Sequence, residues 1–178
     1  MDERAGTLPT LAEAALFGIL GSLTFAMKAA MAALPNIEPS SLMVMLFAAT
    51  FGRKALYPIY VYVLLELLVY GPHLWAVCYL YIWLVPAAGA WLLRRETHPL
   101  AWALLSGGFG LVFGLLCAPV DVVVGGWGYA AGRWVSGIPF DLLHGAGNFV
   151  IALTLFPPLR RLLGRLYQGL RDGGGRWG

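Results

Sequence analysis

Among the charged, amide and imidazole side chains within or beside the apolar stretches of this 178-residue chain, eight are candidates for a site. They are Lys28, Asn36, Glu38, Glu66, Asp121, Asp141, His144 and Asn148. The last three are spaced three and four residues apart, which places them on one face of a helix. A charged group within an apolar segment is costly and by default indicates a site for a ligand or an ion. The pattern therefore predicts a pocket for a small polar or zwitterionic molecule.

Catalysis is a weaker interpretation of the same residues. The sequence contains no HExxH, GxSxG or Walker A motif, so metalloprotease, hydrolase and nucleotide-hydrolysis classes lack their defining parts. An aspartyl dyad of Asp121 and Asp141 has no protease-like context. Cys78 and Cys117 lie in apolar stretches and are interpreted as small hydrophobic residues, with no disulfide framework or metal spacing. We predict neither an enzyme nor a cofactor.

Each polar residue also has a structural interpretation. Lys28 can extend its ammonium outward to the membrane surface, or form an ion pair with Glu66 that serves structure and not recognition. Asp141 follows Pro139 and can cap the last helix, where an acidic group suits the helix dipole. His144 alone is more often a satisfied interior histidine.

Composition indicates the elements that must position these residues. Hydrophobic residues make up 60% of the chain, charged residues 12%, and the mean hydropathy is +0.74. These values predict an all-α, polytopic membrane protein with a bundle of six transmembrane helices. The predicted segments are residues 11–34, 40–51, 55–71, 73–93, 99–118 and 138–159. The second is shorter than the ~20 residues of an ordinary crossing, so we expect a tilted or broken helix shielded by protein.

The distribution of basic residues predicts the orientation. With six crossings, Arg4, the Arg53-Lys54 turn, the Arg94-Arg95 turn and the arginine-rich tail share one side. Positive charge marks that side as the cytoplasm, so both termini are predicted to be cytoplasmic in a cell-membrane protein. We expect a cytoplasmic N-terminus over residues 1–10, the six-helix domain over 11–166 and a disordered Gly/Arg-rich tail over 167–178. The arginines lie at segment ends and not on one face, so no nucleic-acid partner is predicted, and no removable signal peptide is expected.

Small residues recur every four positions in the first segment. This first-helix stripe consists of Ala14, Gly18, Ser22, Ala26 and Ala30, and a second stripe consists of Gly110, Gly114 and Ala118. Stripes of this kind let helices approach closely in lipid, either within one chain or between subunits. Aromatic residues crowd the third and fourth segments, and Tyr79 and Trp83 are the two predicted to reach the pocket.

Three stretches, residues 28–39, 51–71 and 137–156, together resemble the substrate-binding S components of energy-coupling factor (ECF) transporters. The resemblance implies a six-helix protein that captures a water-soluble vitamin or precursor from outside, in a pocket under the loop after the first helix. It implies a docking role for the first-helix stripe and, as partners, a transmembrane coupling protein with two ATPase subunits. The ATP-driven module then lies on other chains, in keeping with the missing Walker A motif.

Two alternatives belong to other functional classes. In the first, the chain is a non-transporting membrane subunit that scaffolds a larger complex, and the polar residues form an internal ion-pair network. In the second, Lys28 and Glu66 serve a proton-coupled secondary transporter. No inverted repeat is evident in the sequence, which disfavours the second alternative.

Overall fold

The computed structural model describes residues 8–33 and 38–173, and across these ranges the regular structure is helical. The helices are α1 (Leu11–Ala30), α2 (Ser40–Phe51), α3 (Leu56–Tyr70), α4 (Leu74–Ile82), α5 (Leu84–Leu92), α6 (Pro99–Leu111) and α7 (Phe113–Gly173). A 3-10 turn, Gly52–Ala55, links α2 to α3. The predicted all-helical class is confirmed.

Within the described residues, four helical stretches are long and apolar enough to cross a membrane. They are Leu11–Ala30, Ser40–Tyr70, Leu74–Leu92 and Pro99–Asp172. A helix needs about 20 apolar residues to span the hydrocarbon core, and each stretch offers a window of this kind. The chain thus has the character of a membrane-embedded protein.

Local sequence explains where several helices begin and end. Thr10 and Glu13 form a capping box at the start of α1, in which each side chain accepts a hydrogen bond from the other residue's backbone N–H, at 3.2 and 2.9 Å. Gly52, Gly71 and Gly126 have φ of 59°, 77° and 78°. Only glycine adopts these values at little cost, so α2 and α3 end there and α7 divides into two arms at Gly126.

Helices α1 and α3 run in the same direction. Glu13 near the start of α1 contacts Lys54 just before α3, and Lys28 near the end of α1 contacts Glu66 near the end of α3. The chain must therefore return along the bundle between them, and α2 makes that return. Ten of the twelve residues of α2 are buried, packed among α1, α5 and α7. This short helix is shielded by protein, as its length predicts.

Helices α6 and α7 form the most extensive interface between helices. Arg160 in α7 donates hydrogen bonds to the carbonyls of Glu96 (2.7 Å) and Arg94, so the end of α7 lies beside the start of α6. We call this end of the bundle, with Lys54, Arg94 and Arg160, the basic end. The opposite end, with Lys28 and Glu66, is the acidic end.

Two predicted boundaries need correction. The last helix does not begin at residue 138: its arm starts after Gly126 and continues through Pro139. It also runs to Gly173, so residues 167–173 of the predicted disordered tail are helical, while residues 174–178 lie outside the described residues. A proline breaks a helix by removing one hydrogen bond, but packing against α6 and α2 compensates for that loss here.

Candidate functional site

An ion pair links α1 to α3 at the acidic end. Lys28 Nζ lies 2.7 Å from Glu66 Oε2 and 3.1 Å from the hydroxyl of Tyr79. The Glu66 side chain is only 2% exposed, whereas the Lys28 side chain is 21% exposed. The structural alternative that pairs these two residues matches this geometry, and outward extension of Lys28 alone does not describe it.

Glu38 lies in the loop before α2 and adds a second carboxylate to this region. Burial raises the pKa of Glu38 to about 7; the charge of Lys28 opposes this rise and the charge of Glu66 adds to it. The carboxyl group therefore changes its protonation state near neutral pH. Asn36, the other predicted residue of this loop, lies outside the described residues.

Aromatic rings continue from the ion pair into the bundle. Tyr62, Tyr79 and Trp83 form a cluster with ring centroids 5.2 to 6.3 Å apart. These spacings are those of favourable edge and offset aromatic pairs. Tyr79 and Trp83, both predicted to reach the pocket, thus lie side by side.

The ring cluster extends to the last helix. Trp83 packs against Phe109 and Phe113 at 5.8 and 6.4 Å, and the Phe113 ring lies 4.9 Å from the His144 imidazole. We call this continuous set of residues, from Lys28 and Glu66 through Tyr79 and Trp83 to His144, the aromatic wall. It brings together residues predicted from four separate stretches of sequence.

Polar atoms along and beside this wall are buried without hydrogen-bond partners in the described part of the chain. They are Glu66 Oε1, Tyr62 OH, Trp83 Nε1, His144 Nε2, Ser40 Oγ and Ser106 Oγ. A buried polar atom without a partner costs roughly 1–3 kcal/mol, and most native proteins leave few of them. A set of both donors and acceptors along one wall can bind a molecule that carries the complementary groups.

Asn148 and Asp141 hold helices together. Asn148 Nδ2 donates to Ser41 Oγ at 3.0 Å and to the Ser106 carbonyl at 3.4 Å, so it ties α7 to α2 and α6. Asp141 accepts a hydrogen bond from the Gly114 backbone N–H at 3.1 Å. The predicted cap of the last helix is wrong, because Asp141 lies well inside that arm; it instead satisfies a backbone donor in the first turn of α7.

Asp121 is engaged in an ion pair across the break in α7. Its Oδ1 lies 3.0 Å from Arg133 Nε, and the Arg133 guanidinium lies 5.2 Å from the Trp75 ring centre. Trp75 in turn stacks on Phe113, at 6.0 Å. Asp121 is thus adjacent to the aromatic wall, with its charge balanced by Arg133.

The two small-residue stripes differ in their surroundings. Four members of the first-helix stripe, Ala14, Ser22, Ala26 and Ala30, are exposed, and Gly18 has no atom within 4 Å of where a Cβ would lie. In the second stripe, a Cβ on Gly110 would lie 2.7 Å from the Gly145 backbone nitrogen. A Cβ on Gly114 would lie 2.7 Å from Asp141 Oδ2, and Ala118 is half-buried.

Sequence reasoning missed several residues of the site. Tyr62 is fully buried beside Trp83, and Phe109 and Phe113 join Trp83 to His144. Tyr62 precedes Glu66 by four residues, so helical spacing from Glu66 was a signal that pointed to it. Ser106, a hydroxyl in an otherwise apolar helix, carried a similar signal.

The described residues contain no group of three or more His, Cys, Asp or Glu side chains arranged to hold a metal ion. Comparison of the chain with protein-family models, with curated proteins and with solved structures found no match. The buried polar atoms of the aromatic wall are therefore the feature of the described residues that bears on function.

Proposed function

We propose that this chain is the substrate-binding component of an ECF-type importer, which captures a vitamin or related micronutrient outside the cell and passes it to a separate ATP-driven module. The observation that carries the proposal is the set of buried polar atoms along the aromatic wall that have no partner in the described part of the chain. Binding of a polar ligand would satisfy them and recover the cost of their burial.

The course of the chain supports six crossings. Helices α1 and α3 run in parallel with α2 returning between them, and Arg160 places the end of α7 beside the start of α6. The crossings are then α1, α2, α3, α4 with α5, α6 with the first arm of α7, and the second arm of α7. With six crossings both termini would lie on the side of the basic end, which the positive-inside rule assigns to the cytoplasm.

The aromatic wall suits a planar, polar ligand. Tyr79 and Trp83 place aromatic rings beside the buried polar atoms, among which Trp83 Nε1 is a donor and Glu66 Oε1 an acceptor. Lys28 and Glu66 neutralise each other, and the two groups carry the charges that would pair with the opposite charges of a zwitterion. A water-soluble vitamin or its precursor has these properties.

The first-helix stripe is proposed to dock the transmembrane coupling protein, with two ATPase subunits beyond it. Its small residues are exposed along α1, and they would let another helix approach closely in the membrane. The chain lacks a Walker A motif, so ATP hydrolysis is assigned to the partner subunits.

The test is a titration of the detergent-purified protein with a panel of water-soluble vitamins and precursors, read by tryptophan fluorescence. Trp83 lies in the wall, so a ligand that binds there should quench emission saturably. Trp83→Phe should remove most of that signal, whereas Trp127→Phe, at a site 81% exposed, should preserve it. Equal quenching in both variants would mean that the ligand binds elsewhere.

Tyr62→Phe separates recognition from structure. The Tyr62 hydroxyl has no partner in the described part of the chain, so its removal should leave the melting temperature unchanged or raised. Ligand affinity should fall by about tenfold, the effect of one lost hydrogen bond. Unchanged affinity for a ligand that quenches Trp83 would contradict the proposed role of the wall.

A scaffold subunit is the second candidate, favoured by the satisfied contacts of Lys28 with Glu66 and of Asn148 with Ser41. This candidate predicts that Glu66→Gln lowers the melting temperature and that no compound in the panel quenches fluorescence. A Glu66→Gln variant that loses ligand binding at an unchanged melting temperature would exclude it.

A further inference from the structure

A cavity of about 510 Å³ opens at the basic end, far from the aromatic wall. Its lining includes Trp102 from α6, and Phe156, Arg160, Arg161 and Arg165 from α7. We propose that this cavity binds the phosphate group of an anionic phospholipid. The inference depends on the membrane-spanning character of the helices and is independent of the proposed transport function.

The positive charge of the cavity lining favours an anion. Three guanidinium groups line the cavity and no carboxylate does. Arg160 is partly committed, since it donates to the carbonyls of Glu96 and Arg94, but Arg161 and Arg165 form no ion pair within residues 8–33 and 38–173. Two such guanidinium groups in one cavity can bind a phosphate through charge-assisted hydrogen bonds.

The carboxylate of Glu96, which precedes Thr97 of the cavity lining, is engaged by the backbone through one oxygen. Glu96 Oε1 accepts hydrogen bonds from the backbone N–H groups of Thr97 and His98, at 2.7 and 2.8 Å. These bonds, first that of His98 and then that of Thr97, lower the pKa of Glu96, so its charge persists and is held by the backbone. Glu96 forms no ion pair with Arg161 or Arg165 within the described residues, so both guanidinium groups can contact an external anion.

The apolar part of the cavity favours a lipid over a soluble anion. Trp102 and Phe156 stack at 4.0 Å and form an apolar side of the cavity beneath Arg160. The same two helices expose Leu104 and Leu155 nearer the middle of the span, at 59% and 46%. A phospholipid would use both features, with its phosphate among the arginines and its acyl chains along the exposed leucines.

The experiment counts individual bound lipids on the full-length protein by native mass spectrometry, with phosphatidylglycerol or phosphatidylcholine added in equal amounts. The wild type should bind phosphatidylglycerol in preference. Arg161→Gln/Arg165→Gln should reduce that preference by about tenfold. Arg53→Gln/Arg95→Gln removes the same charge from two exposed positions outside the cavity and should reduce it by less than about twofold.

Three results would overturn the proposal. One is a wild type without preference for phosphatidylglycerol, and another is an equal loss in the two double variants, which would indicate diffuse attraction to the basic end. The third is displacement of the lipid by millimolar inorganic phosphate, which would assign the cavity to a soluble anion. If the double variant does not fold, Arg165→Gln alone should still lose about threefold, and no loss there would also overturn it.

Discussion

The two small-residue stripes have the same spacing and opposite surroundings. Gly110 and Gly114 are in close contact with the second arm of α7, where Gly145 and Asp141 fill the space beside them. The first-helix stripe instead leaves Gly18 with open space, and its neighbours Ala14 and Ser22 are exposed. Small residues at helical spacing therefore permit another helix to approach closely. The spacing alone does not show which of the two stripes is packed within the chain.

The difference arises from the facing helix. Gly145 lies opposite Gly110, so two backbones can meet without side chains between them. On α1 the contact with α3 uses another face, on which Gly21 packs against Pro58 and Val61. Because the Gly21 face of α1 packs against α3, the first-helix stripe lies on the outer side of α1, away from the bundle.

The strongest test of the packed stripe is Gly110→Ala. The added Cβ would lie 2.7 to 2.8 Å from backbone atoms of Gly145 and His144, which cannot move without separating α6 from α7. We expect a loss of about 3 kcal/mol in the free energy of unfolding, measured by thermal melting in detergent. Gly108→Ala, two residues away with no atom within 4 Å, should be neutral or stabilising. Equal melting temperatures for both variants would contradict the packing.

A smaller effect is expected on the packed face of α1. A Cβ on Gly21 would lie 2.6 Å from Val61 Cβ and 2.7 Å from the Pro58 carbonyl oxygen, so Gly21→Ala should cost about 2 kcal/mol in thermal melts. Val61→Ala in the same chain should recover only a small part of this loss, because it removes Val61 Cγ1, 2.7 Å from the added Cβ, but retains Val61 Cβ. Failure of Gly21→Ala to destabilise would mean that α1 and α3 do not approach as described.

Substitution of Asp141 tests the hydrogen bond that links the second stripe to the second arm of α7. Asp141→Ala leaves the Gly114 N–H without its acceptor and should cost about 1 kcal/mol in the free energy of unfolding. Asp141→Asn keeps an acceptor oxygen and should restore most of the melting temperature. If Asn and Ala behave alike, the hydrogen bond to Gly114 is not the source of the effect.

The smallest effect on stability is expected in the open stripe. Gly18→Leu/Ser22→Leu places two large side chains where there is open space or exposure, so the melting temperature and ligand binding should change little, by about 0.5 kcal/mol or less. If the stripe docks a partner subunit, uptake by cells that express this variant should be abolished. Unimpaired uptake would remove the docking role, and loss of ligand binding would show that the stripe is not separate from the site.

Sequence alone determined the all-helical class of this protein and its apolar helices of membrane-spanning length. Apolar runs of spanning length require helices in a bilayer, because a helix satisfies its own backbone hydrogen bonds. The eight polar residues could be selected because charge is costly in such runs. Even the shielded character of α2 followed from its length, since 12 residues rise only about 18 Å.

Only the tertiary structure decided which of those residues act together. The sequence offered an ion pair of Lys28 with Glu66 as one of two interpretations, and the structure selected it. Spacing alone could not place Tyr62 beside Trp83. The sequence could not show that Asp121 is balanced by Arg133, or that Asp141, in the second arm of α7, accepts a hydrogen bond from Gly114 in the first arm. Helical periodicity determines on which side of its helix a residue lies. The residue that it contacts on the neighbouring helix depends on how all the helices pack together.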